Sequence, residues 1–149
     1  MKKAFSIAEL MIVLAILGIL AAIVLPNLRS HTTQAKESVA KDHLRMFRIA
    51  IELYPTQHNG VPPGYKDDDP QTSPSSVYFN QQIVLQDNYL RKIPENPFNK
   101  LDTINVIGND ETFPEEATGD YGWIYQPATK TFRLDWPGTD ENGIRYFDY

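Results

Sequence analysis

The chain has no cysteine. Disulfide staples are excluded, and so is every thiolate nucleophile or metal ligand. Positive charge is scarce: 14 Lys and Arg stand against 19 Asp and Glu, for a formal charge of −5, and no basic run exceeds two residues. That balance argues against a nucleic-acid-binding domain. Histidine is rare as well. Of His31, His43 and His58, the first two are twelve residues apart, too far for the i, i+4 pairing of a helical zinc site. G-x-S-x-G, Walker and dinucleotide fingerprints are absent. Carboxylates are plentiful, yet no two stand out as a catalytic pair. The chain reads as non-enzymatic.

What is abundant is concentrated at the front. In "MKKAFSIAELMIVLAILGILAAIVLPNLRS" every residue from Phe5 to Leu25 is apolar or small except Ser6 and Glu9. These 21 residues are long enough to span a bilayer as a helix, with Lys2-Lys3 on the cytoplasmic side. A plain one-pass anchor fits, as does a secretory signal peptide ending near Ala21-Ala22. Neither gains anything from Glu9. A carboxylate near the middle of a spanning helix costs about 2.5–3.5 kcal/mol, and somewhat less near its end. Catalysis by a membrane-embedded Glu9 is a third possibility. In a fourth, cleavage before Phe5 creates an α-amine at the head of the apolar helix, with Glu9 one turn along. In a stack of such helices, Glu9 of one chain meets the amine of the next, and joint burial offsets a desolvation cost that each would bear alone.

These residues resemble the start of the type IV pilins and of the pseudopilins of type II secretion. There a short basic leader ends in a small residue, Phe follows, and Glu stands fifth in the mature chain. Counted from Phe5, Glu9 is fifth, Gly18 fourteenth and Pro26 twenty-second, all familiar positions. The leader 1–4 ends in Ala4, where the family normally has Gly; alanine is the smallest replacement. The resemblance implies cleavage between Ala4 and Phe5 by a prepilin peptidase, N-methylation of Phe5, and filament assembly through Glu9. It also implies a helix that bends or partly unwinds between Gly18 and Pro26 once assembled. Pro26 lacks a backbone donor and Gly18 is a weak helix former, so both suit that part.

Beyond Pro26 the pattern becomes amphipathic. Ala40, Leu44, Phe47, Ile51 and Tyr54 recur at steps of four and three, which places them on one face. One helix over 5–54 is expected, with the transmembrane segment at 5–25 and Pro55 and His58-Asn59-Gly60 closing it. Its apolar stripe needs a cover, and residues 55–149 must supply it. "VPPGYKDDDPQTSPSS" reads as a surface loop, its Asp67-Asp68-Asp69 run as solvated acid rather than a cation site. A short helix is expected near Asn80–Asp87 and a strand in "LDTINVIGND". In "DYGWIYQPATKTFRLDWPG" the rows Tyr121, Trp123, Tyr125 and Phe132, Leu134, Trp136 alternate as a hairpin with one buried face. The rings suit a core closing on the helix stripe; an aromatic-lined ligand groove is the alternative.

The expected architecture is α+β: a long N-terminal helix packed on a small antiparallel C-terminal sheet with irregular loops. "DNYLRKIPENPFN" and the hairpin resemble the later part of the major pseudopilins, the G subunit of type II secretion, and the lack of cysteine separates the chain from disulfide-closed pilins. The tail "DWPGTDENGIRYFDY" offers oxygens from Asp135, Asp140, Glu141, Asn142 and Asp148, without EF-hand spacing. By the resemblance, calcium would take Asp140 and Asp148; a hydrated acidic tail is the alternative. The resemblance further implies an inner-membrane protein with its C-terminal module outside the cytoplasm. Its partners would be further copies of itself in a helical homopolymer, minor pseudopilins, an inner-membrane assembly platform and the prepilin peptidase. The competing functions are a type IV pilus subunit and a monomeric anchored or secreted binding module.

Overall fold

A computed structural model describes residues 6–149, and for 21–31 the backbone alone. The leader, Ala4 and Phe5 lie outside the described residues, as does the side chain of Pro26. The chain divides into two units, Met1–Lys36 and Glu37–Tyr149. Helix α1, Ile7–Gln57, begins in the first and ends in the second. Its backbone stays helical through Gly18 and Pro26, so the loosening expected of an assembled filament is not a feature of the single chain.

In the first unit the side chains from Ile7 to Leu20 are exposed on every side of the helix, Ile7 at 79% and Met11 at 67%. Among the described residues no helix is long and apolar enough to cross a membrane; the span expected over 5–25 overlaps residues that are not described.

The second unit holds the core. All five residues of the expected stripe, Ala40, Leu44, Phe47, Ile51 and Tyr54, are buried, joined by Ala50. Helix α1 runs past Tyr54 with Pro55 inside its last turn. The stop comes from Asn59 (φ 53°) and Gly60 (φ 83°), whose left-handed backbone returns the Gly60 N–H to the Pro55 carbonyl at 2.8 Å.

Three strands cover the stripe: β1 (Ile104–Val106), β2 (Trp123–Gln126) and β3 (Thr131–Leu134), in the order β1-β2-β3. The hairpin β2–β3 is antiparallel, with Trp123 opposite Leu134 and Tyr125 opposite Phe132. Strand β1, however, runs parallel to β2, with Ile104 opposite Trp123. The sheet is mixed, not antiparallel. Residues 107–122 make the connection, and a crossover of about a dozen residues or more lets the chain return in the same direction.

Expecting one buried face also falls short, because all four residues of β2 are buried. Trp123 and Tyr125 face the helix, while Ile124 packs with Ile107 and Phe147 in a second small cluster. Residues 107–117 and the last residues of the chain cover that second face. Tyr121 falls outside β2 and is exposed.

The rings are core, not a groove. Phe47 of α1 stacks on Phe132 at 4.2 Å and meets Trp123 at 5.1 Å; Phe79 lies 4.9 Å from Tyr125. Such pairs contribute roughly 0.5–1.5 kcal/mol each beyond their buried area. Phe79 comes from α2 (Ser76–Asn80), capped by the Ser75 hydroxyl and continued by a wider π-helical turn over Gln81–Gln86. The predicted short helix therefore starts four residues early.

Gly122 fixes how the Pro-rich segment meets β2. A Cβ there would lie 2.2 Å from the Leu101 carbonyl oxygen, so only glycine lets the two backbones approach. Buried Asn96 donates to the Gly122 carbonyl at 3.1 Å and accepts from the Phe98 N–H at 2.9 Å. The "PENPFN" stretch is thus bonded to the head of β2.

Candidate functional site: the helix start and the C-terminal loop

Glu9 stands in the first turn of α1. Its Oε2 accepts the Ser6 N–H at 3.1 Å, and the Ser6 hydroxyl accepts the Ala8 N–H at 3.3 Å. This is a variant of the capping box: Glu9 reaches back to the Ser6 N–H, while the Ser6 hydroxyl takes the N–H of Ala8 in place of that of Glu9. The signature Ser6-Ile7-Ala8-Glu9, S-x-x-E before an apolar run, is the sequence signal for this arrangement. Glu9 therefore has a local partner within its own chain, and the macrodipole at a helix N-terminus favours its charge. Gly18 meets open space: a Cβ there would touch nothing within 4 Å. No packing among the described residues requires glycine at that position.

At the other end, residues 138–149 form a loop closed by its own backbone. Asp140 N–H donates to the Ile144 carbonyl at 2.9 Å, Gly143 N–H to Asp140 at 3.0 Å, and Tyr146 N–H to Gly138 at 3.1 Å. Asp140 Oδ1 accepts the N–H groups of Asn142 and Ile144, and its Oδ2 accepts the Tyr149 hydroxyl at 3.0 Å. Burial opposes ionisation of Asp140. The bonds from Ile144, Tyr149 and Asn142 and the charge of Lys41 outweigh it and hold the carboxyl below its ordinary range.

Asp148 is held by arginine. Arg145 Nε reaches its Oδ2 at 2.6 Å and Arg145 Nη2 its Oδ1 at 3.1 Å; Arg133 Nη1 adds a bond to Oδ1 at 2.8 Å. The Arg145 hydrogen bond, working against partial burial and helped by the charges of Arg145 and Arg133, lowers the Asp148 carboxyl.

This donor set does not fit calcium. A calcium cage needs six to eight oxygens free to turn inward, and both Asp148 oxygens already accept from guanidinium groups. Among the described residues no three His, Cys, Asp or Glu side chains group to hold a metal. Asp135, also counted among the tail's oxygens, is fully buried. It receives the N–H groups of Thr118, Gly119 and Tyr121 and the Thr118 hydroxyl, at 2.7–3.1 Å.

Asp68, expected to be solvated, ties down the end of α1. It accepts the Tyr54 hydroxyl at 2.6 Å and Gln82 Nε2 at 3.0 Å, and pairs with His58 Nδ1 at 2.7 Å, while His58 stacks on Tyr54 at 3.8 Å. Periodicity cannot reveal such a cluster, because its members come from three separate segments.

Comparison with known proteins matches the front of the chain to a family model and about two thirds of its length to curated relatives. Residues 1–25 match the family model of the prokaryotic N-terminal methylation motif. No solved structure matches the chain. It is 33% identical over 104 residues to the type II secretion system core protein G of Pseudomonas aeruginosa, spanning 65% of this chain and 68% of that one. Against the protein of the same name from Klebsiella michiganensis the identity is 30% over 104 residues, with the same two shares. Against the type IV major pilin protein PilA of Myxococcus xanthus it is 49%, but over 53 residues that make up 36% of this chain and 24% of the pilin. With a pilin-like front and a similarity to core protein G that covers about two thirds of each chain, the chain belongs to the type II secretion system core protein G family, the pseudopilins, which are structural proteins and not enzymes.

Proposed function

We propose that this pseudopilin waits in the inner membrane on the span 5–25, is cut between Ala4 and Phe5, is methylated on Phe5, and then polymerises. The assembly is head-to-tail and open-ended, the geometry that makes fibres instead of closed rings. Apolar helices form its centre and the 37–149 modules its surface. Minor pseudopilins and an inner-membrane assembly platform are its further partners, and the filament acts as a piston or plug for secreted cargo.

The observation that carries this reading is Glu9 bonded to the Ser6 N–H at the head of a helix whose apolar side chains from Ile7 to Leu20 are exposed. The fourteen residues from Ile7 to Leu20 have exposed side chains, and burial among copies of the same helix would remove that surface from water or lipid. The Ser6 N–H holds the Glu9 carboxylate at the helix start, where an incoming amine can meet it.

Two substitutions separate capping from charge pairing. Glu9→Gln keeps an acceptor for the Ser6 N–H, since Gln also serves in a capping box, but removes the charge. Glu9→Ala removes both. In a host with the prepilin peptidase, the wild-type mass is that of a chain starting at Phe5 plus one methyl group. Filament yield, measured by shearing and sedimentation, falls at least tenfold in both variants while the protein persists in the membrane. Wild-type yield from Glu9→Gln would reduce Glu9 to a helix cap and remove the amine pairing from the mechanism.

A further inference from the structure

We infer that the 138–149 loop of this pseudopilin closes without a divalent cation, with the guanidinium groups of Arg133 and Arg145 taking the place of a metal on Asp148. Arg145 grips the carboxylate with two nitrogens, at 2.6 and 3.1 Å, and Arg133 adds a third contact at 2.8 Å. A fork of two donors on one carboxylate is the strong form of such a bond, fixing orientation as well as distance.

The same two side chains bind the surrounding backbone. Arg133 Nη1 donates to the Phe147 carbonyl at 3.0 Å, and Arg145 Nη1 to the Glu115 carbonyl at 3.2 Å. Each arginine thus joins the loop to another segment: Arg133 to β3, Arg145 to residues 107–117. These are the links a bound ion would make in a metal-closed loop, and carbonyls that could have turned to a cation are occupied by N–H donors.

The charges around the loop point the same way. Arg48 donates to main-chain oxygens of Tyr149 and Phe132, and Lys41 sits 4.0 Å from the centre of the Tyr149 ring. Arg48 and Arg133 thus both donate to main-chain oxygens of the last three residues, Tyr149 and Phe147, and burial and then the charge of Arg133 lower the affinity of Arg48 for its proton. Glu37 is bonded to the Tyr146 hydroxyl at 2.9 Å and Asp140 to Asn142, Ile144 and Tyr149. A calcium ion at Asp148 would have to displace two arginines and sit among further positive charges.

The inference does not depend on filament assembly, and its test reads folding alone. The full-length protein in detergent, stripped with chelator, is titrated with calcium to roughly 5 mM, above the dissociation constants of typical extracellular calcium modules. Melting temperature and calorimetric heat are recorded. The expected result is an unchanged melting temperature and no saturable heat, while the double variant Arg133→Gln/Arg145→Gln melts several degrees lower with or without calcium. Should the double variant not fold, Arg145→Lys keeps the charge but loses the fork, and melts below the wild type. Saturable calcium binding that raises the wild-type melting temperature would overturn the inference. So would arginine variants that melt like the wild type.

Discussion

The Tyr125 hydroxyl is buried and has no hydrogen-bond partner among the described residues. Burial, and then the nearby Tyr65 and Glu52, push its pKa well above the ordinary tyrosine value, so it stays protonated and neutral. An unpaired buried hydroxyl costs roughly 1–3 kcal/mol, and removing it while keeping the ring leaves the packing on Phe79 and Phe132 intact. Tyr125→Phe is therefore expected to raise stability by about 1 kcal/mol, read as a higher urea midpoint with an unchanged slope. A lower midpoint would show that the hydroxyl has a partner, such as a water, that the side chains do not reveal. Glu9 teaches the complementary lesson at this scale. A carboxylate in an apolar run marks the position in the sequence, and Ser6 three residues earlier, at the spacing of a capping box, marks its local partner.

Among the elements, α1 was the most legible. A 3.6-residue period over Ala40–Tyr54 is a local property of the sequence, and all five stripe residues are buried. The sheet was less so. Alternation found β2 and β3, yet the direction of β1 depends on where residues 107–122 return, and three residues cannot encode that. The two-sided burial of β2 was hidden for the same reason, since Ile107 and Phe147 lie far from Ile124 in sequence. Gly18 gives this scale its prediction. With open space around it in the single chain, Gly18→Ala meets no clash and favours the helix by about 0.8–1.0 kcal/mol. If the assembled filament loosens α1 between Gly18 and Pro26, as proposed from the resemblance, that gain opposes assembly. Filament yield should fall by about fivefold, the equivalent of 1 kcal/mol, with slower amide exchange around residue 18 in the unassembled protein. Undiminished yield would mean that the stretch stays helical on assembly.

For the molecule as a whole, titration joins the C-terminal loop to the long helix. Asp148 and Asp140 have carboxyls lowered in the folded chain. A depressed folded value means that the unfolded chain binds protons first as pH falls. The associated stability is complete above the ordinary carboxylate value of about 3.9 and is lost as pH drops through the folded values. Tyrosines act at the other limit. Burial first, and then the bond to Glu37 and the charges of Glu37, Asp140 and Glu141, push Tyr146 up to about 12. Tyr149 is raised by burial and by its bond to Asp140, and Tyr54 by burial and by its bond to Asp68. Here the unfolded chain loses protons first. Stability is complete below the ordinary tyrosine value of about 10 and is lost as pH rises toward the folded values. The urea midpoint should therefore be flat between these limits and decline on both sides. Tyr149→Phe removes one raised tyrosine and one donor to Asp140 in a single change. It should weaken the alkaline decline and also shrink the acid decline, because Asp140 is then held less far below its ordinary value. An acid limb of unchanged size would separate the two residues and show that the backbone N–H groups of Asn142 and Ile144 suffice to hold the Asp140 charge.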